Sequence, residues 1–180
     1  MNKISYRVAL GGVISSLCLL AMLITGIAPI LYLTLPMIAG ALMMIIVVEV
    51  NTSWAFLTYA AVGILSIFIS FDKEASLIFI LFFGHYPIIK QYLDKIKIPI
   101  LRLGARLAIF NVCAVADYQL TIHLLGMQET AKEFAKIGPY GIAAVWIVLN
   151  IIFLIYDYAL TGCISMYIKI LKPKIFGKRK

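Results

Sequence analysis

Six apolar stretches, at roughly 8–25, 30–49, 54–70, 75–90, 103–125 and 140–168, alternate along the chain with short polar breaks. A membrane-crossing helix needs about 20 predominantly apolar residues at 1.5 Å of rise each. The pattern therefore predicts an all-α integral membrane protein, one domain over residues 1–180 with six transmembrane helices. Turn-forming residues separate the stretches: Gly26 and Pro29, then Asn51-Thr52-Ser53, then Ser70 with Asp72, then Gly138-Pro139. The third and fourth stretches are short, and the sixth is long enough to tilt or to run past the headgroups. Val8 to Ile24 is too long for the apolar core of a signal peptide and no A-x-A-type site follows it, so it is expected to remain as a span.

The fourth stretch changes character within LFFGHYPIIKQYLDKIK, Leu81 to Lys97. Pro87 removes a backbone donor and crowds the carbonyl of Phe83, which predicts a bend or break. Beyond it, Ile88, Ile89, Tyr92, Leu93 and Ile96 recur at helical spacing, with Lys90, Gln91, Asp94, Lys95 and Lys97 on the other side. This predicts an amphipathic helix lying in the inner interface after helix four. His85 is expected beside the hinge, capping carbonyls that the proline frees.

Composition agrees with the pattern. The chain is 63% hydrophobic and 13% charged, with a mean hydropathy of +1.03. A soluble domain of 180 residues has too little interior for that much apolar surface. The formal charge of +8 comes with no RNA- or DNA-binding motif, so no nucleic-acid partner is expected. Its distribution is more telling. With six spans, thirteen basic residues (Lys3, Arg7, Lys90, Lys95, Lys97, Arg102, Arg106, Lys169, Lys172, Lys174, Lys178, Arg179, Lys180) fall on one side and three (Lys73, Lys132, Lys136) on the other. The positive-inside rule then makes both termini cytoplasmic and the protein a multi-pass resident of the plasma membrane. The tail KPKIFGKRK either fixes topology or attracts anionic lipid, at about 1 kcal/mol per basic residue near the surface. The loop GMQETAKEFAKIG balances Glu129 and Glu133 against Lys132 and Lys136 and suits a short surface helix on the outer face.

Polar groups inside apolar spans mark places where helices meet each other, water or ligand. Asn111 and Asp117 lie in the fifth span, Asn150 and Asp157 in the sixth. The steps between them, about 9 Å and about 10.5 Å along the helix, nearly match in two antiparallel helices. Two acid–amide pairs result, Asp117 with Asn150 in the outer half and Asn111 with Asp157 in the inner half. These groups either line an outward-facing pocket or hold the bundle in register, since interhelical hydrogen bonds average only about 0.6 kcal/mol. Glu49 reads as a solvated helix end, Asp72 and Glu74 as acids suited to a helix start, and His123 as interfacial. Gly11 with Ser15, and Gly12 with Ser16, form a small-xxx-small pattern that lets another helix approach, in this chain or in a partner.

Cys18, Cys113 and Cys163 are far apart and set in apolar runs, which argues for packing rather than metal or disulfide chemistry. No phosphate-binding loop, H-E-x-x-H or G-x-S-x-G occurs, and the ionisable groups are scattered. The expectation is a non-enzyme without cofactor or metal.

The layout of ALGGVISSLCLLAM in helix one, LTLPMIAGALMM opening helix two and WAFLTYAAVGILSIFI in helix three resembles the substrate-binding S components of energy-coupling factor transporters. That family often has alanines four apart in helix one at the contact with its coupling subunit; here the glycine–serine pairs stand in their place. The resemblance implies a bilayer-embedded subunit that captures a small molecule of vitamin or micronutrient type. A coupling membrane subunit would pack on Gly11, Gly12, Ser15 and Ser16, and separate ATPases would power uptake. Tyr32, Thr34, Asp117, Tyr118, Tyr140 and Asn150 are then expected to line the pocket, with Asp157 at its floor or at a partner contact. The alternative is a structural subunit of a cell-envelope complex, similar to MreD-like proteins.

Overall fold

The computed structural model describes residues 3–126 and 128–172, without the side chains of Lys3, Pro29, 128–135, Pro139 and Leu171. The basic tail from residue 173 onward therefore lies outside the described residues, and the side chains of Glu129, Lys132 and Glu133 are not described. Among those described there is no strand. Seven helices follow in order: α1 Lys3–Thr25, α2 Thr34–Glu49, α3 Thr52–Ile69, α4 Lys73–Ile78, α5 Tyr86–Leu93, α6 Pro99–His123 and α7 Gln128–Met166.

Among the described residues, five helical segments are long and apolar enough to cross a membrane: Ile4–Thr25, Thr52–Ile69, Lys73–Leu93, Pro99–His123 and Tyr140–Ile170. The expected second span is the shorter apolar helix α2. It buries Pro36, Ala39, Gly40, Met43, Met44 and Ile46. α1 folds back on it, with the Cys18 thiol donating to the Ala39 carbonyl at 3.4 Å. α3 starts at Asn51, whose side chain accepts from the Trp54 N–H at 2.9 Å. It ends at Ser70, whose hydroxyl donates across to the Met22 carbonyl of α1 at 3.0 Å. Asp72 caps α4 by accepting from the Ala75 N–H at 3.0 Å.

The fourth span departs from expectation. A wide turn of π type, Phe79–Phe83, follows α4, and α5 then carries the segment on to Leu93 with Pro87 in its first turn. The Gly84 N–H reaches the Phe79 carbonyl at 2.7 Å. The Ile80 carbonyl, freed by that register shift, accepts from the Tyr59 hydroxyl at 2.6 Å and sits 3.4 Å from Nδ1 of His85. The carbonyl that His85 approaches is thus freed by the wide turn, not by the missing N–H of Pro87. The Phe83 carbonyl, which Pro87 cannot serve, lies against α2 at Gly40, where a Cβ would fall 2.1 Å from it. Only glycine allows that approach.

α5 also differs from an interfacial helix. It buries Tyr86, Pro87, Ile88 and Lys90, whereas the hydrophobic pattern put Lys90 on the water-facing side. The last span, Tyr140–Ile170, starts at the expected position; α7 itself runs from Gln128, and Gly138, with φ 73° and ψ 174°, separates its first segment from the long apolar helix. That conformation is essentially confined to glycine. At the far end another wide turn, Tyr167–Leu171, closes the described chain.

Candidate functional site

Polar side chains gather in three layers. At the end of the bundle that holds Asp94, Asp157 of α7 is nearly buried and takes three donors. Its carboxylate pairs with Nζ of Lys90 and with Arg106, and it accepts from the Tyr86 hydroxyl at 2.6 Å. Arg106 bridges onward to Asp94. Two acids and two bases make a neutral set, and burial is tolerated because each charge has a partner. The chemistry also explains why Lys90 is inside: its four-carbon stem crosses apolar packing to reach a carboxylate that α7 holds at depth. Nearby, Glu49 is not a solvated helix end. Its carboxylate pairs with Lys172 at 3.1 Å and accepts from the Tyr167 hydroxyl at 3.2 Å.

The middle layer is an amide clasp. The Asn111 amide donates to Asn150 at 2.9 Å, Asn150 donates back at 3.3 Å, and the Trp146 indole N–H donates to Asn111 at 2.6 Å. Asn150 also donates to the Trp146 carbonyl at 2.9 Å. The pairing is amide with amide, not acid with amide: Asp157 finds bases instead, which leaves Asn111 free for Asn150. Between these two layers the rings of Phe110 and Phe153 stack at 4.6 Å, and Phe82 stacks on Tyr86 at 4.8 Å.

The third layer lies at the opposite end, where α1 runs out, α3 turns into α4 and α6 stops. A cleft of about 410 Å³ is lined by Thr25, Gly26, Phe71, Asp72, Lys73, Glu74 and Leu125. Asp117 and Tyr32 belong to the same neighbourhood: the Tyr32 hydroxyl lies within the field of Glu74, Asp117 and Asp72. A buried carboxylate oxygen of Asp117, Oδ1, has no hydrogen-bond partner, and neither has the Thr121 hydroxyl one turn further along α6.

The residues expected to line a pocket are thus divided. Tyr32 and Asp117 share the cleft end, and Thr34 is exposed at the start of α2. Tyr118 is half-buried and engaged in an interaction of its own. Tyr140 is 92% exposed and points away from the bundle, and Asn150 is committed to the clasp. The small-residue pairs are divided as well. Gly11 faces α3, where a Cβ would meet the Thr58 hydroxyl at 3.6 Å, whereas a Cβ at Gly12 would meet nothing within 4 Å. Ser16 is exposed, and its hydroxyl turns back to the Gly12 carbonyl at 2.9 Å. Thr25 and Thr121 escaped the sequence reading, and Glu74 entered it only as an acid at a helix start. A usable signal existed for Thr121, four residues after Asp117 on the same helix face.

These features define the class: a helical protein with several apolar helices fit for a membrane, carrying an ion-paired layer at one end and, at the other, a cleft near an acid with one unbonded oxygen. No protein-family model, curated protein or solved structure matches the chain.

Proposed function

We propose that this chain is a non-catalytic, membrane-embedded subunit that captures a small molecule for uptake, working with a coupling membrane subunit and separate ATPases. The observation that carries the reading is the contrast between its two ends. At the Asp94 end the carboxylates and both buried bases are paired. At the Tyr32 end a cleft of ligand size has Glu74 in its wall, and Asp117, one buried oxygen of which lacks a hydrogen-bond partner, lies within the field of Glu74. A solute entering from the outer side would meet unpaired groups, and beyond them a closed layer. Six crossings with both termini in the cytoplasm put the cleft on the outer face, which suits capture from outside. The exposed Gly12–Ser16 edge of α1 offers the coupling subunit a close approach.

The second reading, a structural subunit similar to MreD-like cell-envelope proteins, draws on the same paired layer, since a neutral ionic network also serves a scaffold. Co-purification in mild detergent separates the two. ATPases recovered together with a coupling subunit support capture, whereas envelope scaffold or synthase proteins support the structural role. Native mass spectrometry of the preparation is expected to show a bound small molecule, and a preparation without any would count against capture.

A further inference from the structure

Independently of the capture reading, we propose that the kink of the fourth span binds one water molecule. It bridges the Tyr156 hydroxyl of α7 and the Phe83 carbonyl, at the notch that Gly40 leaves in α2. The span gives up ordinary backbone bonds at its bend. The wide turn sends the Gly84 N–H to the Phe79 carbonyl at 2.7 Å, which frees the Ile80 carbonyl. Pro87 has no N–H, which frees the Phe83 carbonyl. The next amide does not replace it, since the Ile88 N–H donates to the His85 carbonyl at 3.0 Å. In an apolar span such carbonyls are satisfied again by a neighbouring helix, a side chain or an ordered water.

The Ile80 carbonyl is served directly, by the Tyr59 hydroxyl of α3 at 2.6 Å. The Phe83 carbonyl also faces a tyrosine. A Cβ on Gly40 would fall 2.1 Å from the Phe83 carbonyl oxygen and 3.1 Å from the Tyr156 hydroxyl, so both atoms lie beside one point of α2. Tyr156 is 5% exposed, and its hydroxyl has no hydrogen-bond partner. Its neighbour Asp157 is already taken by Lys90, Arg106 and Tyr86, and the edge-on Phe83 ring offers no acceptor in the plane. A buried donor and a freed acceptor thus stand together without a direct bond, and leaving either unsatisfied is costly. The missing partner must accept from the hydroxyl and donate to the carbonyl. A cation has no lone pair for the first task and an anion has no proton for the second, whereas water does both. Water bonding to otherwise unsatisfied buried groups is an ordinary part of a fold, and water set into a helix ladder holds a kink.

The test has two arms on the full chain. In the first, unfolding titrations in mixed micelles compare the wild type with Tyr156→Phe, Pro87→Ala and the double change. Tyr156→Phe keeps the ring and removes only the hydroxyl. It is expected to raise the unfolding equilibrium constant about 3-fold or more, the worth of an interhelical hydrogen bond. In the Pro87→Ala chain a restored N–H takes the Phe83 carbonyl, and the same change is expected to lose its cost. Equal cost in both backgrounds, or a Tyr156→Phe protein more stable than the wild type, overturns the inference. The second arm is solid-state NMR in phosphatidylcholine liposomes, with 13C at tyrosine Cζ and magnetisation transferred from water protons. Difference spectra against Tyr156→Phe and Tyr59→Phe isolate the two signals, so this arm stands whatever Pro87→Ala does to the fold. The Tyr156 signal is expected to build up faster than that of Tyr59, which serves its carbonyl directly. Equal or slower build-up overturns the water site, and with a coupled cycle it shows a direct hydroxyl–carbonyl bond instead.

Discussion

The first three helices and the last two solve the same problem in different ways. Between α1, α2 and α3, small side chains and bare backbone bring the helices close around buried Met22, Met43 and Ile46: Cys18 sits on the Ala39 carbonyl, and Gly11 lies beside Thr58. The same device extends to the fourth span, with Gly40 under the Phe83 carbonyl and Gly63 beside Ile80. α6, in contrast, buries only Thr121 along its whole length. It is tied to α7 and α5 by the Asn111–Asn150 clasp, the Lys90–Asp157–Arg106 ion set and the Phe110–Phe153 stack. Lipid tails are as apolar as leucine, so burying apolar surface between spans gains little over facing lipid. Shape complementarity and polar partners are the remaining means. The first group is held by shape along its length, the second by polar groups at discrete depths, and the cleft lies where the two groups meet, at the end of α1, the turn from α3 into α4 and the end of α6.

The contrast can be broken most severely at Asp157. Asp157→Leu strands the buried Lys90 ammonium, and the expected loss is about 3–5 kcal/mol in an unfolding titration in mixed micelles. Adding Lys90→Met should recover most of it, with Arg106 still paired to Asp94; no recovery would show that the ion pair is not what joins α5 to α7. Next in size is Gly40→Ala, whose Cβ would meet the Phe83 carbonyl oxygen at 2.1 Å. Its expected cost is about 3 kcal/mol, the upper part of the overpacking range, read from the same titration. Asn150→Leu should cost about 0.6–1.7 kcal/mol. Because Asn111 and Asn150 act as one unit, the double change with Asn111→Leu should cost less than the sum of the singles. The smallest effect is expected at Gly12→Leu, within about 0.5 kcal/mol for the isolated chain. Gly11→Leu, facing Thr58, should cost clearly more; equal costs would mean that the two glycines do not face different surroundings.

Much of the outline is legible in the residues themselves. Apolar runs and turn residues placed the helices to within a few positions, because length and hydropathy are local properties. Asp72 capping α4 and Asn51 starting α3 follow from side chains that reach their own backbone a few residues on. The break at Gly138-Pro139 was likewise a local matter. The placement of Lys90 was not. Its sequence neighbours assign it to a polar face, and only the approach of α7, sixty-seven residues later, puts a carboxylate within reach. Glu49 shows the same: alone it reads as a solvated end, and it is enclosed once Tyr167 and Lys172 return beside it.

The site divides along the same line. Asp117 stands out in sequence because an acid in an apolar span is costly wherever its helix sits. That Glu74, Thr25 and Leu125 border the same cleft, while Tyr140 faces outward, depends on how four helix ends converge. The sequence by itself thus determined the helices, their breaks and the polar residues that must be accounted for, since those follow from spacing and the cost of polarity in an apolar setting. Which partner each polar residue finds was decided only by the tertiary structure. Pairing is set by the depth and rotation of helices distant in the chain, and a shift of one residue, about 1.5 Å and 100° of turn, exchanges one partner for another.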